Sequence, residues 1–258
     1  MTAWVTGTSN ERQHGAITMM AAVRKCRIYY HGCMYLRLAT TGAFKMGRRT
    51  KQEALATRDS ILDAAELLFE KQGVSRTTLQ HIATAAGVTR GAIYWHFDDK
   101  SALFNAMMER AVMPLEVAAQ SVEQRDSPNP IDDVRTWLLS AFRLAATDPR
   151  ARRVFEIATH KVEYVDELLG VRDRHLASYY HWVDRTESRL KIAIKRGLLK
   201  SGVPARVMAL GLWAMVDGLI QLWLLDSTAF NLLRVGKQTV DSYLGALCTA
   251  ATSESCLR

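Results

Sequence analysis

The residues of this chain best equipped for chemistry form a binding set. Thr89, Arg90, Gly91, Tyr94 and His96 fall within eight positions. They offer a forked guanidinium, two hydroxyls, an imidazole and one site with no side chain. Arg90 can fork onto guanine O6 and N7 or onto a phosphate. The Thr89 hydroxyl and the N–H groups at a helix start can hold a phosphate oxygen, and Gly91 admits close approach. Tyr94 and His96 can reach flanking phosphates, with Lys100 and Thr78 on either side as further backbone contacts. Upstream, Arg48, Arg49 and Lys51 place three cations in four positions, which neutralise phosphates and steepen salt dependence.

Reactive constellations are lacking. No Ser/His/Asp set, glycine-rich phosphate loop or His-x-x-x-His pair is evident, so no enzyme activity, metal or cofactor is expected. Glu156, His160, Lys161 and Glu163 have helical spacing and are expected to pair as ions on one helix. Asp217 is an acid within an apolar helical run, which demands a partner or a task.

The elements that must position these groups are helical. Ala, Leu, Arg and Glu fill long stretches, prolines number 5, and strand-like runs are scarce. The pattern predicts an all-α fold of about nine helices. The first runs over about 53–72, with Ile61, Leu62, Ala65, Leu68 and Phe69 on one stripe and Gly73 as its stop. Thr77-Thr78-Leu79-Gln80 is read as a capping box opening a short second helix, which ends at Gly87. Thr89 caps a third through about Tyr94, and a fourth begins near Lys100 and runs to about Gln124. Asp126-Ser127-Pro128-Asn129-Pro130 forms a linker. Helices are then expected over about 131–146, 150–163, 167–198, 204–225 and 231–248.

The two short helices make a helix-turn-helix. Ala83 and Ala86 are small where they cross, Gly87 permits the positive φ of the turn, and Val88 and Ile93 plug the second helix onto the first. Trp95 and Phe97 are expected to be core aromatics.

Net charge adds little. The formal +8 rests largely on residues 1–45, which hold six bases against Glu11 and leave 28 basic and 25 acidic residues beyond them. That leader has no periodicity and is too apolar and aromatic for a typical disordered tail. Two readings compete for it, a disordered basic arm and the product of an upstream start with Met46 the first native residue, and the second is favoured. Cys26, Cys33, Cys248 and Cys256 lack zinc-site spacing and read as reduced thiols. No uninterrupted apolar run reaches the ~18 residues that span a bilayer, so a cytoplasmic protein without a membrane partner is expected.

Residues 46–103 resemble the DNA-binding domain of the TetR family, especially its AcrR-type multidrug-efflux repressors. The resemblance is carried by Arg48-Arg49-Thr50-Lys51, Ala64-Ala65-Glu66-Leu67-Leu68-Phe69, Gly73-Val74, Thr77-Thr78-Leu79 and Ile82-Ala83. It continues through the string from Ala86 to Phe97 and through Lys100-Ser101-x-Leu103-Phe104. A weaker likeness lies at Arg152-Arg153, Glu156-Ile157, His160-Lys161-x-Glu163-Tyr164 and Val216-Asp217-Gly218-Leu219. The resemblance implies a DNA-binding domain over 46–100, an effector-binding and dimerisation domain over 101–250 and a tail over 251–258. It implies a recognition helix at about 89–95 and contacts to double-stranded operator DNA at Arg48, Arg49, Lys51, Thr78, Thr89, Arg90, Gly91, Tyr94, His96 and Lys100.

A homodimer is expected through the last two helices, because one helix-turn-helix buries too little surface for tight specific binding. Met208, Leu212, Trp213, Met215, Leu219, Leu222 and Trp223 are the candidates on one. Leu232, Leu233, Val240, Tyr243, Leu244 and Leu247 are those on the other. Phe142, Phe155, Thr159, Val162, Met215, Val216, Asp217 and Ile220 are candidates to line a cavity for a small hydrophobic effector, with core packing the competing role for each. The function implied is a repressor released from a palindromic operator by that effector, controlling a multidrug-efflux operon. The rival readings are a helical small-molecule binder or enzyme without specific DNA affinity, and a nonspecific architectural DNA binder.

Overall fold

The computed structural model of the chain describes residues 44–123, 129–164, 168–200 and 202–249, with side chains described from Lys51 onward and to Ser121 in the first stretch. The expected leader and tail therefore lie almost wholly outside the described residues. Nine helices stand among those described: α1 Phe44–Gln72, α2 Leu79–Ala85, α3 Arg90–His96, α4 Lys100–Glu123, α5 Pro130–Thr147, α6 Pro149–His160, α7 Leu169–Lys195, α8 Ala205–Leu225 and α9 Leu232–Leu247. One isolated bridge, Leu199 to Cys248, is the extended pairing among them. The all-α expectation holds. Helix α1 starts at Phe44 rather than near Glu53; no proline interrupts the polar lead-in, and the Thr50-x-x-Glu53 capping pattern does not set the start.

Local chemistry sets the helix ends. Gly73 closes α1 at φ 81°. The cap of α2 is one residue later than the sequence pattern suggests. Thr78 Oγ1 accepts from the His81 N–H at 3.2 Å, and His81 Nδ1 accepts from the Thr78 N–H at 3.4 Å. Thr77 is instead buried, its hydroxyl donating to the Gly73 carbonyl at 2.7 Å. Asp148 both ends α5 and opens α6, accepting from Arg150 and Ala151 N–H groups at 2.9 and 3.1 Å.

Two apolar cores result. The first gathers Ile61, Leu62, Ala65 and Phe69 of α1, Ile82, Ala83, Ile93 and Phe97 of the helix-turn-helix, and Leu103, Phe104 and Met107 of α4. Val154, Ile157 and Ala158 of α6 also join it. The second is built by α5, α7, α8 and α9, with Ala119 of α4. A boundary at Lys100 leaves the second core whole but divides the first, because α4 and α6 both pack with the DNA-binding helices.

In the second core Gly236 lets α9 meet α5 closely. A Cβ there would stand 2.6 Å from the Phe142 ring. Helix α8 is, by length and composition, apolar enough to cross a membrane, yet Met208, Ala209, Leu212 and Val216 on it are fully or almost fully buried in the core.

Candidate nucleic-acid interface

Helix α2 buries Ala83 and is joined to α3 through Gly87 at φ 68°. The Val88 N–H donates to the Ala83 carbonyl at 3.0 Å, stitching the turn to the helix before it. Ile93 is fully buried and anchors α3. Thr89 caps α3, its hydroxyl accepting from the Ala92 N–H at 3.2 Å.

This anchoring turns one face outward. Thr89, Arg90, Gly91 and Tyr94 are exposed there, as is Thr78 at the start of α2. His96 is half-buried at the end of α3. Burial, and then the nearby Arg58 charge, push its imidazole below the ordinary histidine range, so it presents a neutral ring near pH 7. The face combines a cation, hydroxyls and free backbone at a helix start, a set suited to phosphates and base edges. Lys51 is exposed on α1, whereas the side chains of Arg48 and Arg49 lie outside the described residues.

Lys100 departs from the expected phosphate contact. It is 6% exposed, and its ammonium donates to the Val74 carbonyl at 3.1 Å and the Thr77 carbonyl at 3.2 Å. Its charge is spent inside the fold, holding the loop before α2 against the start of α4.

Trp95 departs in the other direction. Ile93 and Phe97 are four residues apart and share the inward face, which leaves Trp95 half a turn away and 73% exposed. Its indole meets the His96 ring edge-on at 4.7 Å between centroids. The i, i+4 spacing of Ile93 and Phe97 was the signal that Trp95 faces out. Phe97 is buried as expected, with the Arg58 guanidinium 5.0 Å from its ring centroid.

The eight effector candidates divide. Phe142, Val216 and Ile220 are core residues, with Phe142 pressed on Gly236. Phe155, Thr159, Val162 and Met215 are half-buried, and the Thr159 hydroxyl donates to the Phe155 carbonyl. Asp217 reaches solvent but is desolvated enough to raise its carboxyl above the usual range, with His175 and Gln221 pulling it back. Gln221 Nε2 donates to it at 2.8 Å. Burial, and then the Asp217 charge, raise both Tyr164 and Tyr179. Asp217, Gln221, His175, Tyr164 and Tyr179 thus share one neighbourhood, and the last four were not foreseen.

Two surface hollows lie elsewhere. One of about 550 Å³ is lined by Pro114, Leu115, Ala118, Ser140, Arg143 and Leu144 among others. Another of about 280 Å³ includes Glu70, Arg152, Arg153 and Glu156. None of the eight candidates lines either.

The expected dimer residues also need correction. Met208, Leu212, Trp213, Trp223, Leu232, Val240 and Leu244 are buried within the chain, and Met215, Leu219, Tyr243 and Leu247 are half-buried. The outward stripe of α8 is Val207, Ala214, Leu222 and Leu225, and Leu233 is exposed on α9. Because α8 is apolar on nearly every side, its pattern does not reveal which side packs inward. Of the four residues expected to pair on one helix, Glu156 and Lys161 pair at 3.9 Å, but α6 ends at His160, which leaves Lys161 as its cap and Glu163 beyond it; no metal-holding cluster occurs among the described residues.

Comparison with known proteins agrees with this geometry. Residues 61–107 match the model for bacterial regulatory proteins of the tetR family, and residues 129–249 match the C-terminal region of MAATS-type transcriptional repressors. The HTH-type transcriptional regulator TtgR of Pseudomonas putida is 39% identical over 202 residues, 78% of this chain and 96% of that protein. NalD, the secondary repressor of the MexAB-OprM multidrug efflux pump in Pseudomonas aeruginosa, is 32% identical. The match has a TM-score of 0.70 over 77% of this chain and 99% of that one. SmeT, the repressor of the Stenotrophomonas maltophilia multidrug efflux pump SmeDEF, is solved in complex with triclosan. That structure is 32% identical, with a TM-score of 0.68 over 76% of this chain and 93% of that chain. An outward-facing helix-turn-helix on an all-helical body, matched over three quarters of the chain, leads to one conclusion: the chain belongs to the TetR family of bacterial transcriptional regulators.

Proposed function

We propose that this protein is a homodimeric repressor of a multidrug-efflux operon, released from a palindromic operator by a small hydrophobic ligand. The observation that carries the reading is the exposed set Thr89, Arg90, Gly91 and Tyr94 on a helix anchored by Ile93. Trp95, exposed beside them, adds apolar surface for a thymine methyl or a sugar. Arg48, Arg49 and Lys51, in the first turns of α1, would track phosphates, and Thr78 and His96 the backbone on either side. The relatives NalD and SmeT, named as repressors of efflux pumps, support the efflux assignment.

Dimerisation would use the stripe Val207, Ala214, Leu222 and Leu225, setting two recognition helices roughly 34–36 Å apart for successive major grooves. The effector would sit near Asp217, Tyr164 and Tyr179, among Phe155, Thr159, Val162 and Met215, and favour a state in which that spacing is lost. Because its partner is chromosomal DNA, the protein would work in the cytoplasm.

A footprint on the intergenic DNA beside its own gene, at fixed salt and with or without triclosan, tests the reading. Protection of a palindrome, relieved by triclosan and abolished by Arg90→Ala with Tyr94→Ala, is the expected result. Undiminished protection by that double variant would refute it.

A further inference from the structure

The outer face of α1 carries Asp59, Asp63, Glu66 and Glu70, spaced so that all four fall on one side of the helix. Three arginines from other helices converge on this acidic stripe. Arg110 of α4 donates to Glu66 and pairs with Asp63 at 2.8 Å and Asp59 at 3.7 Å. Arg150 of α6 pairs with Asp63 at 2.8 Å and Glu66 at 3.6 Å. Arg153, also of α6, pairs with Glu70 at 3.0 Å and Glu66 at 3.8 Å.

Burial is uneven along the stripe. The Glu66 side chain is 2% exposed and that of Arg110 17%, whereas Asp63 and Arg150 are about half exposed. A carboxylate so deep is tolerated only because three guanidiniums surround it, and removing one partner would leave an uncompensated buried charge. Such pairs are poor sources of net stability, and in some proteins they select one geometry over others. The helix that carries the stripe shares its core with the helix-turn-helix through Ile61, Leu62 and Phe69. The acids carry the same sign as phosphate and are paired with arginines of the fold, so they cannot serve DNA by contact.

We propose that the Glu66–Arg110 pair is a positioning device for operator recognition: it sets the tilt of α1, and with it the recognition helix, against α4 and α6. The inference rests on the operator-binding reading above. It assigns no DNA contact to either residue.

The test uses the full-length protein and a duplex selected by the wild type from a randomised DNA library. The double variant Glu66→Gln with Arg110→Met removes both charges and leaves net charge unchanged, so nonspecific affinity and the salt slope should stay at wild-type values. Affinity for the selected duplex should fall about tenfold, the size of a coupling lost between distant groups. A purely structural pair would behave differently: the folded double variant would bind the selected duplex as the wild type does, and that result overturns the proposal. Should the double variant not fold, Asp63→Asn with Arg150→Gln breaks the half-exposed part of the same network. Weakened specific binding there supports the device, and wild-type affinity overturns it. Failure of the wild type to select any sequence would instead refute the operator-binding reading itself.

Discussion

On the outward face of α3 the Arg90 guanidinium donates to the Tyr94 hydroxyl at 3.0 Å and lies 5.6 Å from its ring centroid. The pair is one helical turn apart. Without DNA, the side chain most able to read a base is therefore folded back along its own helix. Tyr94 gives Arg90 a defined place and one fewer arrangement to lose on binding.

This relationship separates two substitutions. Arg90→Ala should weaken operator binding by about 1–3 kcal/mol and relax specificity at one base pair. Tyr94→Phe keeps the ring and removes only the hydroxyl. It should weaken binding to all sequences more evenly. Binding titrations against the operator and its single-base variants distinguish the two.

Lys100 invites a different experiment. Replacing it with Met strands the Thr77 carbonyl and leaves the Val74 carbonyl with the Thr77 N–H alone, at a cost of about 2 kcal/mol in stability. Thermal unfolding should register that loss. The salt slope of DNA binding should stay the same, whereas a lost phosphate contact would lower it by about one unit.

Asp217 makes a prediction about pH. Burial raises its carboxyl in the fold, so the native state holds its proton more tightly than the unfolded chain. Stability contributed at this site is therefore present below the ordinary carboxylate range and lost as pH rises through the raised value. Asp217→Asn removes the penalty. Its melting temperature should exceed that of the wild type near neutrality, and the gap should close in acid. A gap that widens toward low pH would contradict the assignment.

The α8 stripe can be tested by charge. Leu222→Glu with Leu225→Glu touches two residues that are 59% and 68% exposed, so folding should survive. Light scattering should report a monomer, and operator affinity should drop on the order of a hundredfold as two linked half-sites become one.

Much of this was legible in the residues. Gly87, Ala83 and Val88 announce the turn, and Ile93 announces which way α3 faces. Asp148 before Pro149 marks the join of α5 and α6. What stayed hidden depends on tertiary partners. A lysine at a helix start reads as a surface cation unless one knows that two carbonyls from the preceding loop will meet it. Trp95 reads as core by type, although Ile93 and Phe97 already occupy the inward face. Thr77 and Thr78 are interchangeable as caps on paper, and only the Gly73 carbonyl decides between them. On α8 the residues that pack inward and those that face out are equally apolar, so Met208 and Val207 could not be sorted.

Helix α4 gives Leu103, Phe104 and Met107 to one core and Ala119 to the other, with Pro114 between them. It is a single beam shared by two rooms. Cut at its start, the first room loses a wall. The DNA-reading part of this protein should therefore resist being lifted out and grafted onto a foreign sensor. A working chimera would have to carry α4 whole, together with α6, which walls the same room.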